Sequence, residues 1–437
     1  MMIEKYEYKG FWFLPNKESE KVAGILKYES GQISLELIGS LLGYKNPVDS
    51  LLEKHNDNAY QEIIHGYSSN GKKITLLNCR YTHGSHNFSC DFPIESYTSQ
   101  YIIIGLLLDS KESKEFDEIK VENSLMSYFV HPKLLRTSLG DNCLSIKTEL
   151  RKMHCFEDYD IGGDYKLKFY KGVNYKGDNF KPVIEQLSFF GISHDLEKSD
   201  FLALAEKARL FNQFLSIATL NDTTYPQYEL RIKNDNGEDA WYSLFIRNNS
   251  NKIETKIEHH ELLIKHDNIK SQFARIIKKW YQIKDNLAPI KSHLLDSISK
   301  KSTFDSGDFL IIVQALEGYH TRFLEKEHRK EKKINANTKI SLNNRLTYIV
   351  ENFETVTKIK SLYENVNMEE IVATRDYYSH LFQKEKKKHL IKDVNTLYQY
   401  TRKLRLLLIC CVLELIGFDK NTINSILQNN HSNITCL

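Results

Sequence analysis

One short segment, residues 373–380 (ATRDYYSH), holds the side chains best suited to chemistry. Arg375 carries a permanent positive charge on a planar fork that matches the oxygens of a phosphate. His380 has an imidazole whose ordinary pKa, about 6.5, lets it act as a base or an acid near neutral pH. Cleavage of RNA without a metal needs these groups: a base for the 2′-hydroxyl, an acid for the departing 5′-oxygen and a cation for the phosphoryl oxygens.

The spacing within this segment limits how its residues can cooperate. Asp376 and His380 are four residues apart and share a helix face, where the carboxylate can fix the imidazole tautomer. Arg375 and His380 would lie about 140° apart around one continuous helix, so they converge poorly. We expect either that Arg375 lies in the first turn of its helix or that two copies of the motif meet across a dimer.

Tyrosines and lysines next to this pair suit contacts with RNA. Tyr377 and Tyr378 can stack on unpaired bases or pack in the core. A basic run follows, which is either a solvated helix end or a contact for the phosphate backbone; it comprises Lys384, Lys386, Lys387, Lys388 and His389. The sequence leaves both alternatives open for each group.

An arginine and a histidine five residues apart arise often by chance, and the surrounding sequence makes the pair specific. The segment resembles the HEPN superfamily, whose ribonuclease members carry an Arg, a polar residue, three more residues and a His. Arg375, Asp376 and His380 fit this pattern. Residues 309–322 resemble the first helix of the ApeA-type HEPN domain, and residues 404–418 resemble its closing helix.

The first half is similar to the companion domain of that family at residues 10–15 (GFWFLP), 24–26 (GIL) and 63–79. The resemblance implies antiphage defence by abortive infection, through cleavage of host or phage RNA, tRNA included. It implies a homodimer or a higher homo-oligomer in the prokaryotic cytoplasm, with a phage-derived trigger sensed by the N-terminal domain. It also places Glu317, His320 and Arg322 beside the catalytic helix as RNA-binding residues, although a solvated or core-packing face is an equally good interpretation.

The hydrophobic pattern predicts an α+β chain in three parts. Residues 1–251 form a β-rich, sandwich-like or barrel-like domain, residues 252–304 a helical connector and residues 305–437 an all-α helical bundle. Predicted strands include 11–14, 33–38, 74–78, 101–108 and 165–170, with a hairpin of 228–232 and 241–246 around Asp235, Asn236 and Gly237. Predicted helices are one after an N-cap at Ser199, then 257–283, 308–333, 342–360, one from Met368 onward, and 394–416, ending at Gly417.

Composition sets further limits on function. Residues 252–437 carry 31 Lys and Arg against 22 Asp and Glu, a net charge of +9, whereas residues 1–251 carry −6. The basic half suits a polyanion, although solvated helix faces give the same balance. The odd number of cysteines, seven, indicates no disulfide framework, and Cys410 and Cys411 suit core packing. We expect no membrane span, no cofactor and no metal site; His83 and His86 lack partners that would complete a zinc site.

Two functions of different class remain open. The first is an RNase toxin, a metal-independent endoribonuclease held in check until infection. The second is a non-catalytic HEPN module that binds RNA or a nucleotide, with Arg375 and His380 as binding residues only. The presence of both motif residues together with Asp376 favours the enzyme.

Overall fold

The fold is described from a computed structural model of the chain. It describes residues 5–42, 60–85, 93–108, 115–131, 133–140, 143–148, 154–177, 183–222, 226–234, 236–248, 262–299, 305–380, 389–391 and 393–429. The predicted RNA contacts Lys384, Lys386, Lys387 and Lys388 lie outside the described residues, as do His86 and Asp235.

The chain begins with a closed antiparallel barrel of six strands. These are β1 (Lys5–Phe13), β2 (Val22–Glu29), β3 (Gln32–Ile38), β4 (Tyr60–Ser68), β5 (Lys73–Ser85) and β6 (Ile94–Thr98). Neighbours follow the order β5-β4-β1-β2-β3-β6, and β6 pairs back onto β5. Alternation drives this arrangement: in β3 the residues Ile33, Leu35 and Leu37 are buried while those between them are exposed. The strand predicted at 33–38 is therefore confirmed.

The barrel core is built around Trp12, which is fully buried. Gly66 of β4 faces its indole so closely that a Cβ there would lie 2.4 Å from the ring. A Cβ on Gly24 of β2 would lie 3.0 Å from the same ring. Both positions therefore need glycine so that the two strands can approach the indole.

A second, curved antiparallel sheet continues from the barrel. Its strands follow the order β12-β13-β14-β9-β16-β17-β7, and β7 pairs with residues 74–77 of β5. They are β7 (Tyr101–Ile104), β9 (Glu118–Glu122), β12 (His154–Gly162), β13 (Tyr165–Lys176), β14 (Val183–His194), β16 (Gln227–Lys233) and β17 (Asp239–Ile246). Two small pairs accompany it: β8 (Glu115–Phe116) with β15 (Ser199–Asp200), and β10 (Leu135–Gly140) with β11 (Cys143–Thr148).

Of three turns and element ends predicted in this half, one agrees with the structure and two differ from it. The hairpin is confirmed: β16 pairs with β17, and Gly237 at the turn has a φ of +80°. The strand predicted at 101–108 ends at Ile104, because Gly105 adopts a φ of +102° and leaves the sheet. The N-cap predicted at Ser199 is wrong. Ser199 lies in β15, and the carboxylate of Asp200 accepts from the Leu202 amide at 2.9 Å.

Four helices pack against the curved sheet or lead away from it. They are α1 (Ser124–Val130), α2 (Phe201–Thr219), α3 (His266–Gln282) and α4 (Lys284–Ser299). The helix predicted at 257–283 is α3, which begins at His266 and packs on β12. Trp280 of α3 is buried and donates its indole N–H to the Leu210 carbonyl of α2 at 2.9 Å. α4 contacts both α2 and the first helix of the C-terminal bundle.

The bundle consists of α5 (Ser306–Tyr319), α6 (Glu325–Glu331), α7 (Leu342–Asn352), α8 (Thr357–Tyr363), α9 (Met368–His380), α10 (Val394–Leu415) and α11 (Lys420–Asn429). A π-helical turn, His320–Leu324, joins α5 to α6. Residues 308–333 thus form a helical segment as predicted, with this turn in its middle. The single helix predicted at 342–360 is wrong, since the chain turns at residues 353–356 and buries Phe353 and Val356 between α7 and α8.

α10 is the central helix of the bundle. It packs on α5, and Cys410 and Cys411 are fully buried in it, as predicted for core residues. It ends at Leu415, and Gly417 follows with a φ of +104°, which confirms the predicted glycine stop. One continuous hydrophobic core spans the curved sheet and the helices, whereas the barrel has a core of its own. The predicted fold class, a β-rich domain followed by a helical bundle, is confirmed.

None of the helices in the described ranges has the length and hydropathy needed to cross a membrane.

Candidate active site

The segment predicted to carry the chemistry forms helix α9. Asn367 accepts a hydrogen bond from the Glu369 amide at 3.0 Å and so satisfies an open donor at the start of the helix. Glu369 and Glu370 occupy the first turn, where negative charge is favourable to the helix dipole. Ile371 and Thr374 are the residues that α9 buries against the bundle.

Two further contacts fix the position of α9. The Thr374 hydroxyl accepts from the Ile391 amide at 3.0 Å, which ties the returning chain to the helix. The Tyr400 hydroxyl of α10 donates to Glu370 at 2.9 Å. Both anchored residues, Glu370 and Thr374, precede Arg375 on α9, and the helix packs against α5 and α7.

The guanidinium of Arg375 lies between two carboxylates. It donates to Glu317 of α5 at 3.1 Å and to Asp376 at 3.2 Å. The Arg375 side chain is 26% exposed, and those of Glu317 and Asp376 are 29% and 28% exposed. All three side chains are therefore ordered by each other yet still reachable from solvent.

Glu317 also accepts from a second arginine, Arg345 of α7, at 3.4 Å. Arg345 donates in addition to the Thr321 hydroxyl at 2.7 Å and to the Ile340 carbonyl at 3.2 Å. Two guanidiniums thus converge on one carboxylate, with Arg345 only 14% exposed. Sequence reasoning missed Arg345 and Thr321. The four-residue spacing of Glu317 and Thr321, which places them on one helix face, was the only sequence signal for Thr321. Arg345 comes close to them only because α7 packs against α5.

His380 is the last described residue of α9, and its side chain is exposed. Arg375 stands in the middle of this continuous helix, so its predicted placement in the first turn is wrong. Five residues of α-helix separate the pair by about 7.5 Å along the axis and about 140° around it. Arg375 therefore points towards Glu317 while His380 lies on another side of the helix.

The neighbours of this pair take distinct positions. Asp376, predicted to orient His380, accepts from Arg375. The rings of Tyr377 and Tyr378 lie 5.0 Å apart in an edge contact; Tyr377 is half-buried, and Tyr378 packs against the core. His389 lies 3.9 Å from Glu369, both side chains being exposed.

His320, predicted as an RNA contact, lies in the interior of the bundle instead of on its surface. It is 0% exposed, and its Nε2 is 2.7 Å from Nδ1 of His328, whose ring stacks on Tyr348 at 4.0 Å. Burial, together with the positive charges of His328 and Arg345, lowers the pKa of His320 to about 4. His320 is therefore neutral near pH 7 and supplies no charge to a phosphate.

Other predicted features can also be placed. Arg322 donates to the Asn286 carbonyl of α4 at 2.8 Å, which fastens the π-helical turn to that helix. Among the residues that the structure describes, no three or more His, Cys, Asp or Glu side chains are grouped so as to hold a metal ion.

A β-rich half followed by a helical bundle with a partly exposed arginine–carboxylate cluster defines the class of protein. Two family models match the chain: one described as ApeA N-terminal domain 1 over residues 7–280, and one described as Apea-like HEPN over residues 310–422. The chain belongs to the ApeA family of HEPN-domain proteins, whose HEPN part is a defence-related nuclease module. No curated protein and no solved structure matches the chain.

Proposed function

We propose that this protein is a metal-independent endoribonuclease that defends its host against phage by abortive infection. The observation that carries the proposal is the placement of Arg375, held by Glu317 and Asp376 on a continuous helix that ends in an exposed His380. A fixed, accessible guanidinium and an accessible imidazole are the groups needed to cleave a phosphodiester by attack of the neighbouring 2′-hydroxyl.

The reaction would proceed without a covalent enzyme intermediate. His380 takes the proton from the 2′-hydroxyl, whose oxygen attacks the phosphorus, and the 5′-oxygen leaves with a proton from a general acid. Arg375 stabilises the charge that develops on the phosphoryl oxygens. The upstream fragment keeps a 2′,3′-cyclic phosphate, and the downstream fragment gains a 5′-hydroxyl.

The general acid in this scheme is a second His380 from another copy of the chain. Among the described residues, His380 is the one exposed imidazole at the C-terminal end of α9, since His389 lies beside Glu369 at the other end of that helix. His320 is ruled out by its burial and its low pKa. HEPN domains commonly form oligomers, and a twofold axis would bring both motifs to one phosphate. The active species is therefore a homodimer or a larger homo-oligomer.

RNA would be held by the surface around α9. Tyr377 offers a half-buried ring for stacking on an unpaired base. The basic run Lys384, Lys386, Lys387 and Lys388 follows α9 in the chain and would contact the phosphate backbone. The substrate is host or phage RNA, tRNA being one candidate.

The N-terminal domain would restrain the nuclease until a phage-derived trigger arrives. Supporting this, the continuous core couples the curved sheet to the helices, and Arg322 bonds α4 to the π-helical turn beside Glu317. An unrestrained RNase would kill its host, so a sensing role for residues 1–251 follows from the proposed activity.

A non-catalytic module that binds RNA or a nucleotide is the second candidate. The two carboxylates that neutralise Arg375 favour it, since they leave little free charge to act on a transition state. The candidates differ in one outcome: a binding module holds RNA without cleaving it.

The experiment is cleavage of a structured RNA by the full chain, with variants Arg375→Ala and His380→Ala. Each substitution should lower the rate by about 10²- to 10⁴-fold while the circular dichroism spectrum stays unchanged. Matched controls are Arg136→Ala and His293→Ala, which lie on β10 and α4 and should retain wild-type rates. Full activity in a folded His380→Ala protein would refute the catalytic assignment.

A further inference from the structure

A cavity of about 570 Å³ lies between the curved sheet, α2 and α4. Its wall includes Tyr28, Tyr101 and Tyr228 from strands, Arg209 and Asn212 from α2, and Arg247 just after β17. None of the residues of the Arg375 cluster lines it. The volume falls in the usual range for small-molecule sites, roughly 300–1,000 Å³.

Two arginines, Arg209 and Arg247, share the wall of this cavity with three carboxylates. Within the described ranges, neither the Arg209 nor the Arg247 guanidinium makes a hydrogen bond or ion pair with the protein. Lys291, next to the lining residue Ser292, is buried with its ammonium 5.3 Å from the centre of the Trp280 ring. Its pKa is lowered to about 8 by burial and then by the positive charges of Arg209 and Lys284. Guanidiniums that make no hydrogen bond with the described residues can donate to a ligand, and their planar fork matches phosphate oxygens.

The three tyrosines of the wall provide a surface on which a planar ring can stack. Tyr101 is fixed by an edge contact with Phe201 at 5.3 Å, and Tyr28 by a contact with Phe245 at 4.9 Å. The hydroxyl of Tyr228 accepts from Asn212 at 3.4 Å. Aromatic rings held in place can stack on a nucleobase at little cost in conformational entropy.

One buried hydrogen-bond acceptor in the wall is unsatisfied by the described residues. Oε1 of Gln213 is buried and accepts no hydrogen bond from the described residues. Burying an acceptor without a hydrogen-bond donor is unfavourable, so a ligand donor placed there is favoured. The exocyclic amino group of a nucleobase is such a donor.

The lining also contains carboxylates, which must be reconciled with an anionic ligand. Glu206 is paired with Lys284 at 2.7 Å. Asp296 of α4 and Asp222, just after α2, line the wall as well. Carboxylates in nucleotide sites accept hydrogen bonds from ribose hydroxyls, so their presence fits a ligand that carries a sugar as well as a phosphate.

We propose that this cavity is a nucleotide-binding site, in which Arg209 and Arg247 hold the phosphate, the tyrosines hold the base and a carboxylate holds the ribose. α4 forms one wall and is hydrogen-bonded to the bundle: Arg405 donates to the Ser297 carbonyl at 3.0 Å, and Arg322 to that of Asn286. A ligand in the cavity therefore contacts a helix that is tied to the C-terminal module. The site does not depend on the proposed nuclease activity.

Isothermal titration calorimetry on the full chain tests the proposal, with AMP, GMP, ATP, a cyclic dinucleotide, adenosine and inorganic phosphate as probes. At least one nucleotide should bind one site per chain, and adenosine and phosphate alone should each bind at least tenfold more weakly. Arg209→Gln and Arg247→Gln should each weaken the nucleotide at least tenfold. Ser292→Trp, at an exposed lining position, should fill the cavity and block binding, whereas Arg136→Gln, outside the cavity, should not.

Three results would overturn it: no nucleotide binding by the folded chain at millimolar concentration, binding that survives the Arg209→Gln/Arg247→Gln double substitution, or phosphate binding as tight as that of every nucleotide. The variant Arg375→Ala separates this site from the proposed active site. Its affinity should equal that of the wild type, and loss of binding would place the ligand in the helical bundle instead.

Discussion

Arg375 and Glu317, 58 positions apart in the chain, form a direct ion pair at 3.1 Å between α9 and α5. The same carboxylate lies 3.4 Å from Arg345 of α7. Glu317 therefore links α5 to both α7 and α9 and binds two guanidiniums through one partly exposed carboxylate. In the proposed nuclease this makes Glu317 a positioning residue for Arg375.

Substitution of Glu317 should slow RNA cleavage without unfolding the protein. Partly exposed ion pairs contribute about 0–1 kcal/mol each, so Glu317→Gln should keep the fold. Arg375 would lose its fixed orientation, and we expect the cleavage rate to fall about tenfold because misplacement of a catalytic group is costly. Glu325→Gln, which removes the pair with Arg329 on α6, is the matched control. Cleavage as fast as wild type in Glu317→Gln would show that Arg375 needs no such support.

Mixed oligomers test the shared active site. If each site needs the His380 of two chains, then wild type and His380→Ala mixed equally and allowed to exchange should retain about one quarter of the activity, because only pairs of two wild-type chains are active. The measurement is specific activity against the wild-type fraction, with exchange verified by differently tagged chains. A linear decline, or a fully active monomer in light scattering, would exclude the composite site.

Chelation and end-group analysis test the proposed chemistry. EDTA should leave the cleavage rate unchanged, because the scheme assigns every proton and charge to protein side chains. The upstream RNA fragments should carry 2′,3′-cyclic phosphate ends, detected by their resistance to phosphatase until the cyclic phosphate is opened. Activity that disappears with EDTA and returns with Mg²⁺ would contradict the scheme.

The buried imidazole of His320 should make the protein sensitive to mild acid. Burial lowers its pKa to about 4, below its ordinary value, so the unfolded chain binds a proton more readily than the folded one. This contribution to stability is complete above about pH 6.5 and is lost progressively as the pH falls towards 4, by up to roughly 3 kcal/mol. The thermal midpoint of wild type should therefore drop more between pH 7 and pH 4.5 than that of His320→Gln. His293→Gln should behave like wild type, and equal slopes for wild type and His320→Gln would refute this prediction.

Features encoded locally were predicted well from the sequence. Gly417 was predicted as a stop because a helix that ends in a left-handed turn needs glycine there. The alternation of Ile33, Leu35 and Leu37 predicted a strand with one buried face. The error at Ser199 has a different origin. Both Ser199 and Asp200 are good caps, and only the long-range pairing of β15 with β8 decides between them.

Features that depend on packing between distant segments could not be predicted from the sequence. Arg345 looks like any solvated arginine until α7 packs on α5. His320 follows Glu317 by three residues, yet the π-helical turn carries it into the core beside His328. The placement of Arg375 in mid-helix is different, because the helix start at Met368 was predicted and its cap, Asn367, is local in the sequence. The family resemblance located the motif, and the structure supplied its neighbours.

Strand β5 has a consequence for how the N-terminal half fails under stress. Residues 74–77 are hydrogen-bonded to β4 on one edge and to β7 on the other, and the rest of β5 closes the barrel through β6. The barrel and the curved sheet are therefore continuous through β5, even though their hydrophobic cores are separate. The barrel and the curved sheet cannot separate unless β5 loses its hydrogen bonds to β4 or to β7. We therefore expect both to unfold together, as one cooperative unit, under heat or force.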